Sequence, residues 1–403
     1  MFTRNVRLML ASAAFVSMAA PAFALDGADV IGKLNAAYAG NGAKVEYDAV
    51  NVDGDTVTVT GAKIVTAVKA GAPDSAPYQP LPIGDVKMDG VKEDGKGGYV
   101  VDTVTLPDVN LANPKHTLKI SDVEISELTI PGDTTGNTLD NFLFYKKAST
   151  GAMVVTEAGK EIASAESSSV TTQKRANNAG IDAQASVSNV KLDLANVGNP
   201  KTRDAVTKMG LTNVEGKIDM NANWEAATGK VNLQDLTFDF DNVGKLVVAY
   251  DMSGYTLDFA KAVQDAMKNA QASAKPEEAQ QALGMSMLGL IQQLSLNAIS
   301  IRFEDDSITK RALDYAASEQ GTTAAELTQS LKAMAPLMLA QLNIPELQNQ
   351  AATAINTYLD DPKSLLISAT PAKPVPFPMI AGAAMGAPRT LPELLGLKIV
   401  AND

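Results

Sequence analysis

The stretch LQDLTFDFDNVGKLVVAYDMSG, residues 233–254, alternates apolar and polar residues on both sides of a short turn. Successive side chains of a β-strand point to opposite faces, so this period of two predicts a hairpin with one apolar face. The opposite face carries Thr237, Asp239 and Lys245. The apolar face supplies our candidate ligand-facing residues, which are Leu236, Phe238, Phe240, Leu246, Val248 and Tyr250.

A six-residue pattern recurs around this hairpin: apolar, any residue, Asp or Asn, apolar, any residue, and usually a final apolar residue. Its copies are IGDVKM from Ile83, LPDVNL from Leu106, ISDVEI from Ile120, VSNVKL from Val187, LTNVEG from Leu211, LQDLTF from Leu233 and a weaker LNAISI from Leu296. Leu233 and Leu236 are three positions apart, so the alternation slips by one residue at Asp235. This slip predicts a β-bulge, whose irregular backbone suits Asp and Asn. The alternative is that this short pattern recurs by chance, as it could in any β-rich sequence.

The remaining chain divides into strand-like and helix-like parts. A short helix over residues 26–39 precedes strand-like runs that continue to about residue 250, interrupted by an expected loop region with a weaker strand pair at 146–175. We predict a β-rich body at 25–254, a mostly helical region at 255–360 with one strand near 294–305, and C-terminal strands at 361–403 that return to the sheet. Thr323 and Glu326 have the spacing of a helix capping box.

This order predicts a mainly β fold with α elements, an α+β protein. We expect a long curved antiparallel sheet built from hairpin repeats, with a helical insertion or cap in the C-terminal third. The Met-rich segments GMSMLGLIQQL and AMAPLMLAQL are typical of core helices, and a flexible apolar binding surface is the alternative. Trp224 is expected to pack on the sheet at a hairpin edge.

The first 24 residues have the layout of a secretory signal. Arg4 and Arg7 precede an apolar run that ends before Pro21, and the small-residue sequence after it predicts cleavage following Ala24. The apolar run is shorter than the roughly 20 residues that a membrane-spanning helix needs. We therefore expect a periplasmic protein of the cell envelope.

Composition excludes several classes of function. The chain has no Cys, which removes thiolate metal sites, redox motifs and cysteine nucleophiles. Its 34 Lys and Arg against 46 Asp and Glu give a formal net charge of −12, and such a surface repels nucleic acid. We predict no nucleic-acid partner, no metal and no cofactor.

Candidate catalytic residues are few. His116 is the one histidine and is interpreted as a solvated residue at a strand end. Glu304, Asp305 and Asp306 are interpreted as a turn before a helix, with Asp306 or Ser307 as the cap; paired catalytic carboxylates are the alternative. The calcium-loop-like NVDGDTVTV has Thr60 where such a loop requires Glu, so a hairpin turn at Asp53 and Gly54 is predicted instead.

The segments ISDVEISELTI, VSNVKLDL, LTNVEGKIDMNANW and LQDLTFDFDNVGKLVVAYDMSG resemble the strand repeats of the AsmA-like and YdgA-like envelope proteins of Gram-negative bacteria. The resemblance covers about residues 80–305. It implies a long, curved β-groove, of a kind connected in some members with moving or sensing lipids. Such proteins commonly keep an N-terminal membrane anchor, which a cleaved signal would remove here.

We therefore expect a non-enzymatic periplasmic protein that binds a lipid or another apolar ligand, or that supports cell-envelope integrity. One alternative is a structural module that meets an envelope protein through open sheet edges. A carboxylate-dependent hydrolase is the third hypothesis. The apolar face would instead be closed core if the helical region covered the sheet.

Overall fold

The computed structural model describes residues 25–39, 43–66, 80–113, 115–196, 199–272, 276–340 and 344–403. The expected signal segment, residues 1–24, lies outside the described residues. Within them the chain forms one long, curved, open antiparallel sheet of 21 strands, with most helices in the C-terminal part. The predicted fold class is confirmed.

The strands have the following bounds: β1 Ala43–Glu46, β2 Ala49–Asp53, β3 Thr56–Thr66, β4 Leu81–Asp89, β5 Lys92–Glu93, β6 Tyr99–Leu106, β7 Val109–Ala112, β8 His116–Ile120, β9 Val123–Ile130, β10 Lys147–Thr150, β11 Met153–Glu157, β12 Lys160–Ala165, β13 Ser167–Lys174, β14 Gly180–Asp193, β15 Asn213–Glu225, β16 Lys230–Phe240, β17 Gly244–Ser253, β18 Ser295–Asp305, β19 Ser364–Ala369, β20 Val375–Pro376 and β21 Leu397–Ala401.

The α-helices have the following bounds: α1 Gly27–Ala39, α2 Pro200–Lys208, α3 Leu257–Ala272, α4 Pro276–Ile291, α5 Ile308–Gln320, α6 Ala324–Ala340, α7 Pro345–Asp360, α8 Phe377–Gly386 and α9 Leu391–Leu395. Short 3₁₀ helices occupy Leu139–Asn141, Ala176–Asn178, Leu194–Asn196 and Pro388–Thr390. Among the described residues, no helix is long and apolar enough to cross a membrane.

The sheet has a long central succession of neighbouring strands. It runs β2, β3, β4, β6, β9, β10, β13, β14, β15, β16, β17, β18, β19 and β21, all antiparallel. A second, shorter succession of neighbouring strands consists of β7, β8, β11 and β12. Its strands are collinear with β6, β9, β10 and β13 of the central succession, and β12 pairs with β14. Consecutive hairpins therefore build most of the sheet.

The recurring motif marks irregular points in the strands. The pairing register shifts at Gly84, between Val187 and Val190, and between Leu233 and Leu236. The weak copy LNAISI also coincides with a register shift, and LPDVNL and ISDVEI separate collinear strands. The predicted bulge at Asp235 is confirmed. LTNVEG does not fit, because β15 begins at its Asn residue, Asn213.

A closed hydrophobic core lies at the N-terminal end of the sheet. Helix α1 places Val30, Ile31 and Leu34 against buried residues of β3, β4, β6 and β9. The Tyr99 hydroxyl donates a hydrogen bond of 2.6 Å to Asp29 of α1, and Lys33 pairs with the same carboxylate. These polar contacts fix the helix on the sheet.

Three regions differ from expectation. Residues 146–175 form four strands rather than a loop with a weak strand pair, because each strand pairs with a neighbour on both sides. Helix α2 interrupts the expected run of strands, with the Asn199 side chain accepting from the amides of Lys201 and Thr202. The C-terminal segment 361–403, expected to return to the sheet as strands, also contains α8 and α9.

Candidate functional site

One row of apolar residues crosses the whole central succession. In an antiparallel sheet, directly paired residues point to the same face. The row contains an apolar residue from each of fourteen strands, in the order Val52, Val57, Met88, Val104, Ile125, Ala148, Val170, Ala185, Met220, Leu236, Val248, Ile301, Ile367 and Ile399. We call this row the apolar band.

Exposure changes along the apolar band. Val57, Met88 and Val104 are buried under α1 as part of the closed core. The side chains from Ile125 to Val248 are half-buried. Ile301 and Ile367 are 43% and 41% exposed. The row is therefore exposed at Val52, buried beneath α1, and accessible again at Ile301 and Ile367.

The six candidate ligand-facing residues lie on this face. Phe238 is paired with Leu246, and Leu236 with Val248. Tyr250 is paired with Leu233, which puts it on the same face beyond the bulge. All six candidates are half-buried.

Phe240 differs from the other five candidates. It packs against a small closed cluster that contains the buried residues Val206, Leu211 and Val214. Helix α2 and the turn after it supply two of these residues, Val206 and Leu211. Phe240 therefore belongs partly to a local core, whereas the other five continue the accessible face.

Two further rows widen the apolar face in its C-terminal half. One row joins Val187, Ile218, Phe238, Leu246, Phe303, Leu365 and Ala401. The other joins Ala183, Ala222, Leu233, Tyr250, Ile299, Ala369 and Leu397. With the apolar band they make an apolar surface three residues deep on β14–β19 and β21. An elongated apolar molecule has room to lie across it.

The opposite face of the sheet is polar and carries two depressions of about 800 and 520 Å³. They share Thr171 and Gln184, so they are continuous. Thr237, Asp239 and Lys245 line the smaller depression, as predicted for the outward face of the opening hairpin. The Arg175 guanidinium hydrogen-bonds Asp182 in the larger depression and holds the pKa of that carboxyl below its ordinary value.

The acids Glu304, Asp305 and Asp306 all have structural partners. Glu304 accepts a hydrogen bond of 2.9 Å from Arg302, and Asp306 accepts one from the amide of Asn242. Asp305 accepts from the amides of Ser307 and Thr309 at the start of α5. Ser307 is the N-cap residue of α5, as one of the two predicted alternatives has it, but its side chain makes no capping hydrogen bond. The Asp305 carboxylate accepts the first free amides instead, because it lies at the end of the preceding strand.

The other sequence candidates are also placed. His116 begins β8, is partly exposed and lies 3.7 Å from the Glu157 carboxylate. The NVDGDT segment forms the predicted hairpin turn, with Asp53 paired with Thr56 across Gly54. Across the described parts of the chain, no group of three or more His, Cys, Asp or Glu side chains could hold a metal ion.

Trp224 and the helix capping box are where the sequence predicts them. Trp224 lies at the end of β15, donates its ring N–H to the Tyr255 carbonyl at 2.7 Å and packs edge-on against the Tyr255 ring. Thr323 and Glu326 exchange both hydrogen bonds of the capping box at the start of α6.

The expectation that the Met-rich segments are core helices is wrong. Met285 and Leu288 of α4 are 69% and 62% exposed, and Leu337 and Met338 of α6 are similarly accessible. Helix α8, with the sequence FPMIAGAAMG, has no buried residue. Helices α4 and α6 bury only part of their apolar residues, such as Leu290 and Ala335, and leave their large Met and Leu side chains accessible.

A protein family described as "Uncharacterized protein" matches residues 237–402. The matched segment runs from the middle of β16 through β21, and so includes the exposed end of the apolar band. No curated protein matches the chain. Neither comparison bears on the resemblance to the AsmA-like and YdgA-like envelope proteins, which stays a prediction.

Proposed function

We propose that the protein is a non-enzymatic component of the bacterial cell envelope that binds an elongated apolar ligand, such as the acyl chain of a lipid, on its apolar sheet face. The apolar band is the observation that supports this proposal. Fourteen paired positions without a charged residue continue from a closed core to exposed Ile301 and Ile367. Covering that surface removes apolar area from water, at roughly 25 cal/mol per Å².

The ligand would lie across the strands, because the apolar residues continue from strand to strand and charged residues occupy the other face. The five candidates Leu236, Phe238, Leu246, Val248 and Tyr250 would contact its middle. As part of this proposal, we expect the protein to be periplasmic after its signal is cleaved.

Binding of a fluorescent long-chain fatty acid to the purified protein tests this function. Ile367→Asp puts a carboxylate on the exposed end of the apolar face, and we expect affinity to fall at least tenfold, since burying an unpaired charge is unfavourable. Ser368→Asp is the matched control, because Ser368 is the next residue of β19 and points to the opposite face. Equal affinity in both variants, or no binding by the unaltered protein, contradicts the proposal.

The alternative, a module that binds an envelope protein by strand addition, loses support at two sheet edges. The Asn35 side chain of α1 bonds both the N–H and the C=O of Val45 on β1. The Gln350 side chain of α7 accepts from the Ile399 amide on β21. These contacts occupy groups that an added strand would need.

A further inference from the structure

Five large apolar side chains project from two helices at one end of the sheet. They are Met285, Leu288 and Ile291 of α4 and Met379 and Met385 of α8. Their exposed fractions reach 85%, at Met385. We call these five residues the Met-rich surface.

The start of α8 is hydrogen-bonded to the segment that follows α4. The amide of Phe377, the first residue of α8, donates a hydrogen bond of 3.1 Å to the carbonyl of Leu294, three residues after the end of α4. Beside this bond, β20 pairs with the start of β18. Both helices are thus attached to the same end of β18, the strand that carries exposed Ile299 and Ile301.

The Met-rich surface has a distinctive distribution of charge. No charged residue occurs between Glu278 and Arg302, or between Lys373 and Arg389, in a chain of net charge −12. Lys373 and Arg389 flank α8, both are exposed, and neither has an ion pair within the described residues. Glu393 of α9 is the acidic residue that lines the depression beside Met379. Helix α8 itself is uncharged and has a cation on each side, which matches a phospholipid surface, where hydrocarbon lies beneath phosphates.

From this match we propose that the Met-rich surface docks on a zwitterionic phospholipid bilayer, with α8 lying in the plane of the interface. Ten residues of helix rise about 15 Å, half the thickness of the hydrocarbon layer, so α8 lies along the surface. Strongly anionic lipid is disfavoured as the target because the net negative charge of the chain repels it.

A second copy of the chain fits this surface less well. Stable interfaces between proteins use about 20–30 residues on each side, whereas the Met-rich surface offers five large side chains. Two copies would also bring together two strongly acidic molecules. Interfacial insertion needs neither a large area nor a complementary fold.

Flotation of the full chain with phosphatidylcholine vesicles tests the proposal. We expect the protein to float with the vesicles at low and at high salt, because two cations contribute little compared with apolar insertion. The double variant Met379→Asp with Met385→Asp should lose at least tenfold in partitioning at an unchanged melting temperature, since both residues are exposed. Met334→Asp on α6 is the control. It introduces the same charge outside the Met-rich surface, at a residue that is 52% exposed compared with 53% for Met379.

Three results would overturn the proposal. In the first, the unaltered protein fails to float with the vesicles. In the second, Met334→Asp removes flotation as fully as the double variant does. In the third, the protein is a dimer without vesicles and the double variant makes it a monomer, which assigns the surface to a second copy. Ile367→Asp, which tests acyl binding without vesicles, should still float, so the two proposals fail separately.

Discussion

Ile301 of β18 and Ile367 of β19 lie directly opposite each other, and more than two-fifths of each side chain is exposed. Further along the same row, Val57 is completely buried beneath α1, and Val52, the first residue of the row, is 40% exposed. The apolar band therefore includes structural core beneath α1 and accessible surface on β18 and β19. The buried part of the face is expected to contribute to stability, and the exposed part is accessible to a ligand.

The exposed end should contribute little to folding. We expect the double variant Ile301→Thr with Ile367→Thr to lower the free energy of unfolding by less than about 1 kcal/mol, because Thr retains β propensity and the lost burial is partial. Ile31→Ala in the closed core should cost about 2–5 kcal/mol. Urea unfolding measures both, and equal losses would show that the exposed pair is core.

The centre of the band should respond to ligand. Phe238 is half-buried, so Phe238→Ala should cost clearly less than the roughly 3–5 kcal/mol typical of a buried Phe. A bound fatty acid should raise the melting temperature of the unaltered protein more than that of the variant. A large loss that is the same with and without fatty acid would place Phe238 in a closed core and end the ligand proposal here.

The sequence predicted the opening hairpin because Phe238 and Leu246 belong to strands long enough for their alternation to define both faces. It also predicted the bulge at Asp235, since the three-residue spacing of Leu233 and Leu236 breaks that alternation. Strand partners at 146–175 were missed because Ser-rich strands have weak periodicity, and their pairing depends on residues distant in sequence. Helix α2 had a usable signal, the cap Asn199 followed by Pro200.

The exposure of the Met-rich helices could not be predicted from the sequence. A segment such as FPMIAGAAMG is equally apolar whether a sheet covers it or not, so composition cannot distinguish a core helix from a surface helix. The exposure depends on where the helices attach, and that follows from the pairing of β18 with β19 and β20. The continuity of the apolar band likewise depends on the register of every strand pair.

The contact between α1 and the sheet should be sensitive to acid. Hydrogen bonds from Lys33 and then Tyr99 hold the pKa of Asp29 below its ordinary value of 3.8, and burial together with Asp29 raises the pKa of Tyr99. A carboxyl whose pKa is lower in the folded state stabilises the fold above its unfolded pKa, and this contribution is lost as the pH falls through the folded pKa. The free energy of unfolding is measured for the unaltered protein and for Asp29→Asn from pH 7 down to below pH 4. We expect the difference between the two proteins to shrink only at the acidic end of this range. A constant difference would contradict this role of Asp29.

Asn35 should protect the first edge of the sheet. Its side-chain amide accepts from the Val45 N–H at 2.6 Å and donates to the Val45 carbonyl at 2.9 Å, as a neighbouring strand would. Asn35→Leu leaves both groups without a partner, which should cost about 1–3 kcal/mol and increase self-association through β1. Chemical unfolding and light scattering measure the two effects. Asn51→Leu on exposed β2 is the control and should change stability by less than about 0.5 kcal/mol; identical behaviour of the two variants would show that Asn35 has no edge role.

The copy of the motif at Asn189 should require a residue that tolerates a left-handed backbone, as Asn189 and Asp122 adopt at the third position of their copies. Asn189 in VSNVKL has φ of +47°, at the point where the register between β14 and β15 shifts, and its side chain donates to Glu166. Asn189→Gly and Asn189→Val both remove that hydrogen bond, so the difference between them isolates the backbone. We expect Val to be less stable than Gly by about 1–2 kcal/mol, because a β-branched side chain is strained in this conformation. Urea unfolding of the pair measures it, and equal stability would mean that this bulge tolerates either residue and that Asn189 has no conformational role.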